Sequence, residues 1–291
     1  MSLLSNLRKH RLSEYKAFYQ VLLISLLMIY SYWLIGQIVI VLIVLIPFML
    51  VLDVQELTTC TAAVGCIGGL IVIFFYYWWF KPEYQWKPRN TLLSFKLASP
   101  ILLYWFVLHV IIYTIAAGHL TFGLKGVTIY SILLMLQAGI CEEVAFREIG
   151  ISYMKRQLKD DKMNLPIILI TSFVFGISHL LNTLLYGNFS IRIFQSLCAF
   201  LFAVFLGSIF LRTGNIWICI LTHSIQDLLA VFFTARLREE DFPIYIYIGM
   251  IIGLLLLAAW GLFLIRKKKH PEIKELWNDK WQVTDTNQSM W

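Results

Sequence analysis

The chain contains repeated apolar runs of about twenty residues, the length that carries an α-helix across the hydrocarbon core of a bilayer. The runs recur between residues 17 and 265 and are separated by short polar segments. Because they are continuously apolar and do not alternate with polar residues, they exclude a transmembrane β-barrel. With 59% hydrophobic and 14% charged residues, the composition also differs from that of a soluble domain. The sequence predicts an all-α fold, a polytopic transmembrane helical bundle.

The basic residues predict how this bundle is oriented. They form clusters that fall on one side of the membrane if the long run at 17–52 crosses once. By the positive-inside rule, this pattern predicts about eight spans with both termini in the cytoplasm. The net charge of +7 therefore reflects topology, and nucleic acid is not a predicted partner. The predicted organisation is a basic cytoplasmic N-terminus (1–16), N-terminal spans (17–124) with a basic cytoplasmic loop (81–96), a core with polar residues (125–235), a last loop and span (236–265) and a polar cytoplasmic tail (266–291).

Charged residues interrupt one of the apolar runs, at about 127–153, where Glu142 and Glu143 are followed by Arg147. Charges at this depth in a membrane are costly, rare and usually functional. Glu143 and Arg147 are four residues apart with the carboxylate first, which predicts an ion pair on one face of a helix. Glu142 points about 100° away and has no evident local partner. An additional carboxylate at such a position indicates a functional role.

Two later apolar runs also carry polar residues at depth. One contains His179, and the other contains His223 and Asp227 at helical spacing. Counted at about 1.5 Å per residue from the cytoplasmic ends of their helices, these groups and Glu143 lie roughly 12–20 Å deep. Separate structural contacts would have little reason to share one level of the membrane. We therefore interpret the polar residues of the three helices as one site.

The residue types of this site suit the activation of water. A carboxylate can take a proton from water, and an imidazole can position that water or bind a developing oxyanion. Glutamate and two histidines also suit a tetrahedral zinc ion with one open position, so a metal-free and a zinc-bound site both remain open. Each polar residue taken alone could equally be structural, as a bracing ion pair or an interhelical hydrogen bond.

Three motifs in order resemble a known family. Glu-Glu-x-x-x-Arg (142–147), Phe-x-x-x-His (175–179) and His-x-x-x-Asp (223–227) resemble the CAAX protease and bacteriocin-processing family of intramembrane proteases, also called the Abi or type II CAAX endopeptidase family. The resemblance covers about residues 125–235 and implies an eight-helix intramembrane endopeptidase.

The resemblance also implies a role for each site residue. Glu142 would be the general base on the water, and His179 would help to position that water. Glu143 and Arg147 would hold the geometry of the site, and His223 with the residue at 227 would stabilise the oxyanion. That residue is often Asn in the eukaryotic branch and is Asp here. An ionised aspartate cannot donate a hydrogen bond, so Asp227 would need a proton, orient His223 or bind a metal.

The family is called a metalloprotease family, although a metal-free glutamate mechanism has also been argued for it. Its bacterial members are associated with bacteriocin immunity and peptide-signal maturation. The resemblance therefore implies a multi-pass protein of a bacterial plasma membrane, with the lipid bilayer and a peptide or membrane-protein substrate as partners. Two alternatives remain open, a non-catalytic membrane scaffold or regulator with a protease-like fold and a proton-coupled transporter, although the sequence lacks the internal repeat expected of a transporter.

Overall fold

The computed structural model describes residues 90–117, 128–181, 188–234 and 243–280, together with isolated positions between residues 19 and 63. The described residues are predominantly helical and contain no strand, which confirms the predicted all-α class. Apart from the isolated positions, the crossings predicted within 17–80 lie outside the described residues. The loop at 236–242 and the end of the tail lie outside them as well.

Eight α-helices follow one another in the described part of the chain, and the second continues into a π-helix. They are α1 (Thr91–Ala117), α2 (Ile129–Glu143) with the π-helix Val144–Ile151, α3 (Ser152–Gln157), α4 (Asn164–Ser178), α5 (Phe189–Thr213), α6 (Ile216–Thr234), α7 (Ile244–Leu264) and α8 (His270–Lys280), with 3-10 turns at Asp161–Met163, His179–Leu181 and Lys267–Lys269.

Among the described residues, five helical stretches are long and apolar enough to cross a membrane, so the chain is a multi-pass membrane protein. These stretches are Thr91–Ile111, Ile129–Lys155, Asp161–Ser178, Phe189–Thr213 and Ile244–Leu264. The sequence also predicts a span at about 216–235, which corresponds to α6; the apolar part of this helix, Ile216–Ala230, is shorter than the five stretches.

Local hydrogen bonds stabilise the first turns of two helices. At the start of α2, the Thr128 side chain accepts a hydrogen bond from the Ser131 amide, and the Ser131 hydroxyl accepts one from the Thr128 amide. This reciprocal pair satisfies amides that a helix leaves without partners. At the start of α1, the Ser94 hydroxyl donates to the carbonyl oxygen of Asn90. The last residues of the segment predicted as a loop at 81–96 belong to α1, which begins at Thr91.

The core of the bundle is built around α5. This helix packs against α4 on one side and α7 on another, while α6 packs against α1 and α2. The second half of α5 is buried almost without interruption and includes Phe205 and Phe210. An apolar helix that is buried on most of its circumference occupies the centre of a bundle. Helix α6, which carries His223 and Asp227, is thereby held between α1 and the helix of the two glutamates.

Part of the predicted polar tail is a helix that packs on the end of α5. In α8, Ile273 and Trp277 are buried, and the Trp277 indole donates to the carbonyl oxygen of Leu211 at 2.8 Å. That carbonyl belongs to the last turn of α5, where helical carbonyls have no partner within the helix. The segment 266–291 is thus more than a polar tail, because two side chains, Ile273 and Trp277, hold α8 against the end of α5.

Candidate active site

The two adjacent glutamates end α2 at the point where the helix changes its winding. Glu142 and Glu143 are its last residues, and Val144–Ile151 continue as a π-helix whose residues are all buried. The sequence predicted a regular α-helix through Arg147, and this prediction is wrong. Short π-helical segments inside longer helices are rare and frequently occur at functional sites.

The predicted ion pair is present across this change of winding. Arg147 Nη1 lies 2.9 Å from Glu143 Oε1, and the side chains are 2% and 0% exposed. The Arg147 guanidinium also lies over the ring of Phe175, 4.5 Å from its centroid. A cation over an aromatic face is attracted by the ring quadrupole, and the attraction is stronger when the pair is buried. Glu143 and its arginine are thus fixed by both α4 and the π-helix.

His223 binds the same carboxylate from the opposite helix. Its Nδ1 lies 2.8 Å from Glu143 Oε1. Because an ionised carboxylate only accepts hydrogen bonds, Nδ1 carries the hydrogen of this contact and donates it. The other ring nitrogen, Nε2, lies 3.5 Å from Asp227 Oδ2 and 3.9 Å from Glu142 Oε2. Glu143 therefore orients the imidazole so that Nε2 faces the other two carboxylates.

The three carboxylates differ in their access to solvent. Glu143 is fully buried, whereas the side chains of Glu142 and Asp227 are 25% and 19% exposed. The separation of 3.9 Å between Glu142 Oε2 and His223 Nε2 is too long for a direct hydrogen bond. Polar groups at such a separation are commonly bridged by a water molecule. Glu142 and His223 Nε2 are thus placed to share a small molecule between them.

His179 is not brought into this cluster. It lies in the 3-10 turn after α4, and its Nδ1 donates to the carbonyl oxygen of Phe175 at 2.9 Å. Within the described residues it forms no ion pair with any of the three carboxylates. The ring of Phe175 contacts both imidazoles, with centroids 4.8 Å from His179 and 6.1 Å from His223. The structure therefore joins five of the six predicted site residues and leaves His179 beside them, in contact with Phe175.

Sequence reasoning missed two aromatic residues of the site. The Phe-x-x-x-His motif contains Phe175 but gave this residue no role, yet its ring contacts both imidazoles and carries the Arg147 guanidinium on its face. Phe202 of α5 packs edge-on against His223 at 5.3 Å. The spacing of Phe175 four residues before His179 was a usable signal, because such a pair shares one helix face. The sequence did not indicate Phe202, because it is one of several phenylalanines in an apolar helix and nothing in the pattern distinguishes it from the others.

The placement of the side chains bears on the zinc-bound alternative. Among the described residues, no three His, Cys, Asp or Glu side chains are grouped so that they could hold a metal ion. His179, the third ligand that the sequence suggested, is instead hydrogen-bonded to its own helix. The described donor set therefore does not fit a zinc ion.

Comparison with known families identifies the region that carries this site. Residues 124–229 match the family model described as Type II CAAX prenyl endopeptidase Rce1-like. The match contains all six predicted site residues and confirms the resemblance over this part of the chain. Helices α1, α7 and α8 lie outside it. A comparison with curated proteins found no match.

Proposed function

We propose that this protein is an intramembrane endopeptidase that hydrolyses a peptide bond of a membrane-associated peptide or protein with water activated by Glu142. The observation that carries the proposal is the orientation of His223. Its Nδ1 is fixed by a buried carboxylate, and its Nε2 faces Glu142 and Asp227. A purely structural ion pair between Glu143 and Arg147 would not need a histidine from a helix eighty residues away.

Glu142 acts as the general base. Its carboxylate takes one proton from water, and the water oxygen forms a bond with the carbonyl carbon of the substrate. When the tetrahedral intermediate collapses, the C–N bond breaks and the proton passes to the leaving amine. Glu142 suits this role because, unlike Glu143, it is not held by an arginine and remains partly exposed.

His223 and Asp227 assist at the carbonyl oxygen. In this proposal the His223 ring is the imidazolium, which donates Nε2–H to the oxyanion while Nδ1–H stays hydrogen-bonded to Glu143, so the ring is fixed before the reaction begins. Asp227 lies next to Nε2 at 3.5 Å and positions that nitrogen. An ionised Asp227 could not bind the oxyanion itself, because it has no hydrogen to donate.

His179 helps to position the attacking water. Its Nδ1–H is occupied by the Phe175 carbonyl, so the neutral ring keeps Nε2 as a hydrogen-bond acceptor. Phe175 connects this imidazole with His223 and Arg147, which supports a shared function for the two rings. A His179→Ala variant is therefore expected to lose activity although His179 lies outside the carboxylate cluster.

We place the protein in a bacterial plasma membrane, with eight spans and both termini in the cytoplasm. The asymmetric distribution of basic clusters supports this topology. Family resemblance supports a role in bacteriocin immunity or in the maturation of a peptide signal. Substrates would reach the site from the bilayer or its edge, where the apolar faces of the helices are exposed.

Cleavage of candidate membrane peptides by the purified full-length protein in detergent tests this function. We expect wild-type protein to cleave and His223→Ala to lose most activity. A chelator arm tests metal assistance: unchanged rates support the metal-free site, and lost activity that returns with zinc contradicts it. If no peptide is cleaved while His223→Ala shows the wild-type cellular phenotype, the scaffold alternative is favoured. Proton-coupled uptake into vesicles would favour the transporter.

A further inference from the structure

Helices α2 and α6 approach each other closely at Gly139, four residues before Glu143. A Cβ atom at Gly139 would lie 2.2 Å from Ser224 Oγ, 3.2 Å from the Ser224 amide nitrogen and 3.3 Å from the carbonyl oxygen of Ile220. Two of these three atoms belong to the backbone of α6. Only a residue without a Cβ allows that backbone so close, as is common where membrane helices pack through small residues.

The same two helices carry the central contact of the candidate site. Gly139 and Glu143 are separated by four residues on α2, and Ser224 directly follows His223 on α6. The close approach at Gly139 therefore lies next to the 2.8 Å hydrogen bond between Glu143 and His223. Because protein interiors are densely packed, a change of helix separation at one contact is transmitted to its neighbour.

We propose that Gly139 is a positioning residue, which sets the distance between Glu143 and His223 by admitting the α6 backbone. It thereby determines where His223 Nε2 lies relative to Glu142. The catalytic consequence rests on the proposed function, whereas the geometric consequence can be measured without catalysis. Gly139 itself touches no reacting group and has no chemical role.

Gly139→Ala tests the proposal with the smallest possible addition. Alanine has a higher helix propensity than glycine, so any loss comes from the contact with α6 and not from the helix itself. The Ser224 hydroxyl would have to turn away, and the backbones would separate by a few tenths of an ångström. Since misplacement by about 1 Å can cost 10²-fold, we expect kcat to fall by about tenfold with KM little changed. Gly139→Leu should reduce kcat further.

A spectroscopic measurement follows the geometry independently of activity. With ¹⁵N-labelled histidine, the six histidines of the chain give a small set of ring signals. His223→Ala assigns the signal of the ring that is hydrogen-bonded to Glu143. In Gly139→Ala this signal should lose the strongly deshielded Nδ1 proton of a short hydrogen bond to a carboxylate, while the other histidine signals stay unchanged.

Other glycines of the chain provide matched controls. A Cβ at Gly253 would also meet its nearest neighbour at 2.2 Å, namely Tyr104, but at the contact between α1 and α7. Gly253→Ala should therefore cost stability without changing the His223 signal. At Gly249 a Cβ would meet nothing within 4 Å, so Gly249→Ala should behave like the wild type.

Removing the Ser224 hydroxyl provides a rescue. Ser224 Oγ is buried and has no hydrogen-bond partner within the described residues, so Ser224→Ala alone should be tolerated. In the Gly139→Ala/Ser224→Ala double variant the nearest obstructing atom is gone, whereas the backbone contacts at 3.2 and 3.3 Å remain, so only part of the lost kcat and of the His223 signal should return. This variant also keeps the test decisive if Gly139→Ala alone does not fold.

Three outcomes would overturn the proposal. The first is a Gly139→Ala protein with wild-type kcat and an unchanged His223 signal. The second is a Gly253→Ala protein that changes the His223 signal as strongly, since the effect would then be a general loss of stability. The third is a double variant that recovers the full wild-type kcat and His223 signal, because the Ser224 hydroxyl and not the α6 backbone would then set the distance. If the wild type cleaves no peptide, the proposed function fails, but the His223 signal still decides whether Gly139 sets the contact.

Discussion

Two carboxylate–arginine pairs lie in opposite surroundings in this protein. In the site, Glu143 and Arg147 are buried, and the same carboxylate oxygen also accepts from His223. At the end of the bundle, Glu272 of α8 binds Arg212 of α5 with its side chain 48% exposed. The residue types are the same, but only the first pair has been removed from water.

The difference in burial indicates that the two ion pairs have different roles. A buried pair pays a large desolvation cost and rarely stabilises a protein more than apolar residues of the same size would. Its retention next to Glu142 is therefore explained better by the orientation of His223 than by stability. The exposed pair contributes little energy, because water and salt screen it. It supplements the docking of α8, which depends mainly on Ile273 and Trp277.

Removing the arginine from each pair should give the largest difference in stability between them. Arg147→Ala leaves a buried carboxylate without its cation and should lower the free energy of unfolding by about 3–5 kcal/mol. Arg212→Ala, its matched control, should cost less than about 1 kcal/mol. Denaturant titration in detergent measures both values. Equal losses would show that burial does not distinguish the pairs. Adding Glu143→Gln to Arg147→Ala should restore much of the stability.

Within the site, His223 and His179 should differ in how much they contribute to stability. His223→Ala removes a hydrogen bond to a buried charge, which should cost about 1.5–3 kcal/mol of unfolding free energy. His179→Ala removes a hydrogen bond to a backbone carbonyl, which should cost about 0.5–1.5 kcal/mol. Both variants should lose peptidase activity. A larger stability loss for His179→Ala would contradict the assignment of His223, and not His179, to the carboxylate cluster.

The docking of α8 can be weakened without touching the site. Trp277→Phe keeps the aromatic ring but loses the indole hydrogen bond to the carbonyl of Leu211, so stability should fall by about 0.5–1.5 kcal/mol. Since α8 lies outside the matched region, the cleavage rate should remain at the wild-type value. A loss of activity at full stability would indicate that the end of α5 that contacts α8 contributes to the site.

The smallest expected effect concerns the surface pair and depends on pH. The hydrogen bond from Lys269, followed by that from Arg212, holds the pKa of Glu272 below its ordinary value. A carboxyl whose pKa is lower in the folded state stabilises that state above its unfolded pKa and loses the effect as pH falls through the folded pKa. Glu272→Gln should therefore lower the melting temperature slightly at neutral pH. The difference in melting temperature between Glu272→Gln and the wild type should vanish in acid. A difference that grows in acid would contradict a lowered pKa of Glu272.

The membrane class and most helices could be predicted because hydropathy and charge are local properties. Most helices of the described region begin and end within a few residues of the apolar runs at about 97–117, 127–153, 166–181, 191–211, 216–235 and 243–265. The exception is the start of α1, which begins at Thr91. The pairing of Glu143 with Arg147 was equally local, since spacing along one helix predicts it. Residues 142–147, 175–179 and 223–227 sufficed to indicate the family, and the match over residues 124–229 confirms that resemblance.

The remaining features depend on packing between distant residues. The hydrogen bond from His223 to Glu143 joins residues 80 positions apart, and similar depth in the membrane could not specify it. Depth alone also grouped His179 with the carboxylates, although its ring is bound to its own helix. The π-helix after Glu143 has no pattern in the sequence. Helix α8 was missed because Ile273 and Trp277 are few among polar neighbours.

The central claim is that Glu142 activates the water, and Glu142→Gln tests it most directly. Glutamine keeps the shape of the side chain but cannot take a proton from water. The cleavage rate of a substrate peptide should fall by about 10²–10⁴, with folding and peptide binding near wild type. Glu56→Gln, at an exposed position, is the control and should cleave normally. If purified Glu142→Gln protein cleaves at the wild-type rate, Glu142 is not the base and the proposed mechanism is wrong.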